Sequence, residues 1–527
     1  MNIMLVAINA KYIHSSLAAY SLYAYLSEDE KKHVQIKEFT VNQSEELITS
    51  EIFRAKPDVL AFSCYIWNID LVLSLAETFK KIMPRVPIIV GGPEASYEFS
   101  SDLVDIVVSG EGEARFRQLV QEFTGGANNQ TASIIPLEQI PFPYEGRFPS
   151  LANRIIYYET SRGCVNNCGF CLSSATEGVR FLPLARVYSD LDKFLAAGVK
   201  QVKFVDRTFN ASRQHATAIW EYLIRNDNGI TNFHFEIAGE RLDHQALILL
   251  GKARKGLFQF EIGVQSTNPQ TLETIRRTTD TEKLFENVRH LMKLGNIHLH
   301  LDLIVGLPHE DYESFKRSFN DVFALRPHKL QVGFLKLLKG SRLRKDAQKY
   351  GIEYKKSAPY SVLKNDFMDF EQIGHIKKIE HMVETFYTAA FHGTVKFMLS
   401  RFPSPFDFFD MLAKFWDENE LHMVSHKKAA MYSYLYEFGK KYIEGELHPV
   451  CELLKFDMLL QENIRTFPPF IAAYYQPDNR QITRTTGVHM FDYNICEWLE
   501  SDAPFIKKQI KVEFDYSCAV DDGRYKA

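Results

Sequence analysis

Cys164, Cys168 and Cys171 fall within one short stretch, Ser161-Arg162-Gly163-Cys164-Val165-Asn166-Asn167-Cys168-Gly169-Phe170-Cys171. A chain with this spacing has to turn so that three thiolates converge, which constrains its fold more than any other feature does. Three thiolates can hold three corners of a cubane iron–sulfur cluster that normally takes four ligands. One iron then stays open to another ligand. Two plainer readings stand beside this one, a structural zinc site and three unrelated thiols. Zinc prefers four ligands in two pairs, and the sequence has no second Cys-x-x-Cys and no nearby Cys-x-x-His.

A CxxxCxxC motif with an aromatic just before its last cysteine resembles the radical S-adenosylmethionine (SAM) signature. The resemblance implies a [4Fe–4S] cluster on Cys164, Cys168 and Cys171. It implies that SAM chelates the open iron through its amino and carboxylate groups, and that one electron cleaves SAM to methionine and a 5′-deoxyadenosyl radical. Phe170 would lie near the adenine.

A chain of 527 residues suggests about three or four domains. With 46% hydrophobic and 24% charged residues it has the composition of an ordinary globular protein. A net charge of −4 argues against a nucleic-acid scaffold, which would carry a basic surface. Met1-Asn2-Ile3-Met4-Leu5-Val6 lacks a basic leader and reads as a first strand, not a signal peptide. No apolar run reaches about 18 residues, so no membrane span is expected. Seven cysteines, three of them clustered, suit a reducing cytoplasm better than a disulfide framework.

Over residues 1–135 apolar strands alternate with amphipathic helices. Strands are expected at Ile3–Ile8, Val59–Ser63, Ile88–Val90 and Ile106–Val108, with a helix over Leu17–Leu26. This alternation predicts a doubly wound, Rossmann-like parallel sheet with ligands at the carboxyl ends of its strands. The loops after those strands read Ser63-Cys64-Tyr65, Gly91-Gly92-Pro93-Glu94 and Ser109-Gly110-Glu111. Their spacing resembles the cobalamin-binding domain that precedes many radical SAM proteins. By that resemblance Ser63, Gly91, Gly92, Gly110 and Glu111 contact cobalamin. His14 lacks the flanking Asp and Gly of the cobalt-ligating motif and reads as a surface or helix-entry histidine, so cobalamin would bind without a protein histidine on cobalt. An empty flavodoxin-like scaffold is the alternative for this region.

The stretch Gly125 to Pro143, with Gly126, Asn128, Asn129 and three prolines, marks a boundary. Residues 150–362 then give six further strands, at Ile155–Thr160, Gln201–Val205, Asn232–Ile237, Gln259–Val264, His298–Val305 and Leu330–Leu335. Six βα units fit a partial (β/α)6 barrel, like the radical SAM core, with its site at the carboxyl ends of the strands. By resemblance Asp206, Glu240, Arg241, Gln265 and Ser266 contact SAM, and Gly306-Leu307-Pro308 shapes the adenine side. Each polar residue has a plainer reading as a cap or rim ion pair. Lys336, Lys339, Arg342, Arg344 and Lys345 form a basic run that reads as a solvated helix start.

Residues 363–527 change pattern. Ile379, Met382, Val383 and Phe386 recur at helical spacing, and Ile510, Val512, Phe514 and Tyr516 alternate as a half-buried strand. The aromatics Phe406, Phe408, Phe409, Phe415 and Trp416 read as core. Cys451, Cys496 and Cys518 are too scattered for a second cluster. The expectation is an α/β chain whose third, mainly helical domain has no assigned role.

The resemblance implies an enzyme that methylates an unactivated carbon of an unknown substrate, with an electron donor such as flavodoxin or ferredoxin. Radical oxidation, cyclisation or rearrangement remains open, as does a non-enzymatic sensor. A methylthiolating enzyme would need a second cysteine trio near its N-terminus, where Cys64 stands alone.

Overall fold

The computed structural model describes all residues except 126–133, 173–177, 444, 446, 476–480, 502 and 518–524. Gly126, Asn128 and Asn129 of the expected linker, and Cys518, lie outside the described residues. The chain forms two compact units, Met1–Tyr312 with Gly333–Phe370, and Glu313–Val332 with Glu371–Ala527.

The first unit opens with β1 (Ile3–Asn9), β2 (Val34–Thr40), β3 (Val59–Ser63), β4 (Ile88–Gly91) and β5 (Ile106–Val108). Their order is β2-β1-β3-β4-β5, and all neighbours are parallel. Met4, Val6 and Ile8 pack on one face with Ile48, Val72 and Phe79. Ile3, Leu5 and Ala7 pack on the other with Ala19, Phe116 and Leu119. A strand covered on both faces needs an unbroken apolar run, which is why β1 is legible. The sequence reading missed β2. It is an edge strand, Val34-Gln35-Ile36-Lys37-Glu38-Phe39-Thr40, whose central residues are only half-buried. The strand order reverses between β1 and β3, which places a binding crevice beyond Asn9 and Ser63.

The second sheet holds β6 (Ile156–Tyr158), β9 (Gln201–Phe204), β10 (Asn232–Ile237), β11 (Phe258–Gln265), β12 (His298–Val305) and β13 (Lys329–Phe334). Its order is β13-β12-β11-β10-β9-β6. The expected strand over Ile155–Thr160 is shorter than read. It stops at Tyr158, and Ser161–Gly163 forms a separate strand, β7, antiparallel to β8 (Val179–Phe181). The cause is Asp206, at the end of β9. It accepts the Thr160 amide at 3.0 Å and the Thr160 and Ser161 hydroxyls at 2.6 Å each. Beyond the barrel, β14 (Glu353–Tyr354) pairs with β15 (Val362–Lys364).

Alternate residues of β10 to β12 are sealed against the helices: Phe233, Phe235, Phe258, Phe260, Leu299 and Leu301 are all fully buried. The residues between them, including His234, Glu236, Glu261, His300 and Asp302, point to the opposite face. That inner face of the partial barrel is polar, unlike the continuous apolar run of an ordinary parallel strand.

In the second unit, helices span Phe370–Phe386, His392–Leu399, Pro405–Glu418, Lys428–Tyr442 and Leu447–Leu459. Phe406, Phe408, Phe409, Phe415 and Trp416 are buried in its core, as read. The expected late strand is β17 (Lys507–Asp515), and it pairs with β16 (Thr486–Tyr493), which the sequence reading missed. Among the described residues no helix is long and apolar enough to cross a membrane.

Candidate functional site

The cysteine loop begins where β7 ends. Gly163 sits at φ +103°, and a β-carbon there would lie 2.1 Å from the Gly178 carbonyl oxygen, so only glycine closes this hairpin. Cys164 follows, with Sγ 3.4 Å from the Thr208 hydroxyl and accepting the Asn166 amide at 3.4 Å. Cys168 is buried. Its neighbour Gly169 is clamped on both sides, donating to the Ile275 carbonyl at 2.8 Å and accepting from the Leu343 amide at 2.7 Å. Burial pushes the Cys168 thiol up, Arg277 opposes the shift, and Cys171 and Cys164 add to it. The sulfurs therefore sit within one another's field. Arg277 Nη1 stands 3.8 Å from Cys168 Sγ, while Nη2 donates to the Gly163-distant carbonyl of Gly263 at 2.6 Å. Nothing in the sequence reading singles out Arg277; only the fold brings it beside the loop. Phe170 is half-buried between the second and third cysteines. Three soft thiols with a cation beside them fit a cluster better than a closed zinc site.

The rim residues divide. Asp206 is 1% exposed, and its oxygens hold Thr160 and Ser161. Its carboxylate braces the start of the cysteine loop. Ser266 lies just past the end of β11. It is fully buried and donates to Glu310 Oε1 at 2.6 Å. Glu240 is half-buried, and its Oε2 makes no hydrogen bond, so a carboxylate acceptor remains available there. Arg241 is exposed, with Nη1 3.4 Å from the Ala211 carbonyl. Gln265 adopts φ +71° at the irregularity that ends β11, and its side chain folds over Gly263. The Gly306 carbonyl accepts from Asn365 at 2.9 Å.

At the other sheet, Asn68 stitches the β1/β3 crevice by donating to the Ile8 and Ser63 carbonyls at 2.9 and 3.0 Å. Trp67 Nε1 also donates to Ile8 O at 3.0 Å, and its ring stacks on Tyr65 at 4.4 Å. This flat aromatic pair borders the crevice, and Ser63 lies buried beside it. Gly92 (φ +105°) is demanded by packing: a β-carbon would lie 2.6 Å from the Cys64 carbonyl oxygen. Gly91 makes only ordinary contacts, whereas Gly110 has open space around it.

Glu111 was expected to touch cobalamin. In the structure it pairs with Arg162 (2.9 Å) and with Arg180, which flank the cysteine loop on β7 and β8. Arg162 also pairs with Glu113 at 2.5 Å and Glu159 at 2.9 Å. The last loop of the Rossmann-like sheet is thereby fixed to the base of the cysteine loop. Three carboxylates face two guanidiniums here, leaving one negative charge in excess. Burial accordingly pushes Glu159 up to about 7, despite the Arg162 guanidinium beside it. A carboxyl with a raised folded pKa binds its proton more tightly when folded. Its contribution is full below the unfolded value of 4.5 and is lost as pH rises through about 7. Glu159→Gln is expected to remove about 1–2 kcal/mol of the stability lost between about pH 5 and pH 7.5. Urea midpoints of the cluster-free protein at both pH values check this; equal losses in variant and parent would contradict it.

His14 is half-buried in the loop after β1. Its Nδ1 lies 2.7 Å from the Tyr157 hydroxyl, and burial lowers its pKa. The basic run is not wholly solvated either. Lys339 lies 3.5 Å from buried Glu94, and Arg344 pairs with Glu98 at 2.9 Å. Tyr360 donates to Glu94 at 2.6 Å. These contacts tie the Gly-Gly-Pro-Glu loop to the segment after β13.

Residues 3–120 match the B12 binding domain, residues 158–322 the radical SAM superfamily, and residues 348–518 a protein family of unknown function, DUF4080. The chain carries a B12-binding domain, a radical SAM domain and a C-terminal DUF4080 domain, in that order. These domains imply a [4Fe–4S] cluster, SAM and cobalamin as cofactors. The chain is 26% identical over 351 residues to the cobalamin-dependent radical SAM methyltransferase TokK of Streptomyces tokunonensis, covering 56% of this chain and 50% of that one. It is 26% identical over 320 residues to the 2-(S-pantetheinyl)-carbapenam-3-carboxylate methyltransferase of Streptantibioticus cattleyicolor, covering 52% and 46%. The chain thus spans about half the length of these curated relatives. In fold it resembles the cobalamin-dependent SAM radical enzyme OxsB with aqua-cobalamin bound, at TM-score 0.59 and 15% identity, over 87% of this chain and 79% of that one. It also resembles the radical SAM methyltransferase TsrM from Kitasatospora setae, at TM-score 0.52 and 17% identity, over 69% and 80%.

Proposed function

We propose that this protein is a cobalamin-using radical SAM methyltransferase acting on an unactivated carbon of a substrate yet to be identified. When bound, the cluster and SAM would supply a carbon-centred radical and cobalamin a methyl group; the protein's part is placement and exclusion of water. The observation that carries the reading is the Arg162 grip, which holds the loop of Glu111 and Glu113 against the strand leading into Cys164. It fixes the loops expected to border cobalamin beside the loop expected to hold the cluster. Cys164, Cys168 and Cys171 are the cluster ligands in this reading. Arg277 holds positive charge at Cys168, which favours its thiolate. Phe170, Glu240 and Gln265 are kept as SAM contacts, with Arg241 able to swing from its exposed position. Ser63, Gly91, Gly92 and Gly110 border cobalamin, and the Tyr65–Trp67 stack offers a flat apolar surface suited to a macrocycle. Flavodoxin or ferredoxin is the proposed reductant, and the cytoplasm the proposed compartment.

Anaerobic reconstitution with iron and sulfide, then dithionite and SAM, should yield 5′-deoxyadenosine by chromatography. Refolding or growth with hydroxocobalamin should leave corrinoid absorbance on the protein after desalting. Absence of 5′-deoxyadenosine from cluster-loaded protein would overturn the radical reading. Its presence without retained corrinoid would remove methyl transfer from cobalamin.

A further inference from the structure

The polar lumen of the barrel is not used by the function proposed above. Its composition follows from strand register. Parallel pairing sets Glu236 beside Glu261 and Glu261 beside His300, and it sets Lys203 beside His234. Asp302 lies two residues beyond His300 on the same strand and so on the same face. Lys203 meets two of the three carboxylates: its Nζ lies 3.0 Å from Glu261 and 3.5 Å from Glu236. Arg207, exposed beyond β9, adds its field only from outside. The group is therefore left negative in a half-buried setting, which is costly unless a cation joins it.

The imidazoles carry the second observation. His300 is 5% exposed and His234 is 7% exposed. His300 Nε2 stands 2.8 Å from Asp302 Oδ1, yet neither atom makes a hydrogen bond of proper angle. His234 Nε2 stands 3.1 Å from Glu261 Oε2 and is likewise without one. These close pairs lack a well-angled hydrogen bond, an arrangement that a shared ion would satisfy. Glu261, His300 and Asp302 each offer a ligand atom, all within 4.8 Å of one another.

We propose that Glu261, His300 and Asp302 bind one divalent transition-metal ion inside the barrel, separate from the cysteine site. A mixed imidazole and carboxylate set without thiolate suits zinc, manganese, iron(II) or cobalt(II), not a soft thiophilic ion. The ion would offset the carboxylate charge and link side chains of β11 and β12, two paired strands inside the sheet.

The test uses the full chain carrying Cys164→Ala, Cys168→Ala and Cys171→Ala, so that failure of the cluster reading cannot decide the outcome. After chelator dialysis, cobalt(II) is added as an optical probe, and retained metal is measured after desalting. About one cobalt per chain is expected, with visible bands of oxygen and nitrogen ligation, no thiolate charge transfer, and a raised melting temperature. His300→Gln and Asp302→Asn, added singly and checked for folding by circular dichroism, should each weaken binding at least about 10-fold. Should the cysteine-free chain not fold, the cluster-loaded parent is assayed instead. It should then carry one non-cluster divalent ion per four irons, and His300→Gln should lose that ion alone. No retained cobalt, or retention that both variants leave unchanged, overturns the proposal.

Discussion

Cys168→Ala is expected to leave a colourless protein in which SAM cleavage falls to background. Two of the three thiolates would remain, too few to hold a cubane by one face. The residue is buried, its backbone neighbour is clamped between Ile275 and Leu343, and Arg277 stands 3.8 Å from its sulfur. Among the described residues of the first unit the one cysteine outside the trio is Cys64. Cys64 is buried behind the Rossmann-like sheet, where burial pushes its thiol up to about 12. Cys451→Ala serves as the control. That thiol is buried in the second unit and donates to the Phe470 carbonyl at 3.5 Å, so its loss should keep the brown colour and full 5′-deoxyadenosine yield. Iron and sulfide content, together with the 5′-deoxyadenosine yield, read both variants. A Cys168→Ala protein that still cleaves SAM would remove Cys168 from the ligand set.

Gly163→Ala is expected to be the most damaging single-carbon change in the first unit. The added carbon would meet the Gly178 carbonyl oxygen at 2.1 Å, and the backbone at φ +103° is one that L side chains rarely adopt. Strain of this kind costs about 1–3 kcal/mol by itself, and opening the β7/β8 hairpin to relieve the clash would add to it. A total of about 3 kcal/mol or more is expected, with loss of reconstituted iron, because the hairpin is the frame from which Cys164 projects. Gly110→Ala separates the two contributions. Its φ is +75° and nothing lies within 4 Å, so conformational strain alone, about 1 kcal/mol, should appear. Thermal midpoints of the apo proteins and iron content after reconstitution measure both. Equal effects at Gly163 and Gly110 would mean that the hairpin clash relaxes freely.

Most of the strands could be read because their signal is local. β3 and β12 match the expected Val59–Ser63 and His298–Val305, the first from an apolar run and the second from alternating leucines ending in Ile304-Val305. The strands that escaped were those whose pairing is not written in an apolar run. β2 is an edge strand with lysine and glutamate at its centre, and β16 is defined only by its partner β17. Splitting of the strand after Ile155 was also invisible, since it depends on Asp206 reaching back over 46 positions to Thr160.

The sequence by itself determined the kinds of layer, the order of the strands along the chain and the trio of thiols, because hydrophobic period and cysteine spacing are properties of near neighbours. The tertiary structure alone decided which charges meet. Arg277 reaches Cys168 across 109 positions, and Arg162 reaches Glu111 across 51. Glu111 and Asp206 were both read as ligand contacts and are both engaged within the protein. Lumen residues from four strands are gathered by parallel register into one polar cluster. A short-range pattern can say that a residue is polar at the end of a strand, but Coulomb and hydrogen-bond partners are chosen by distance in space, and that distance exists only once the strands have been placed side by side.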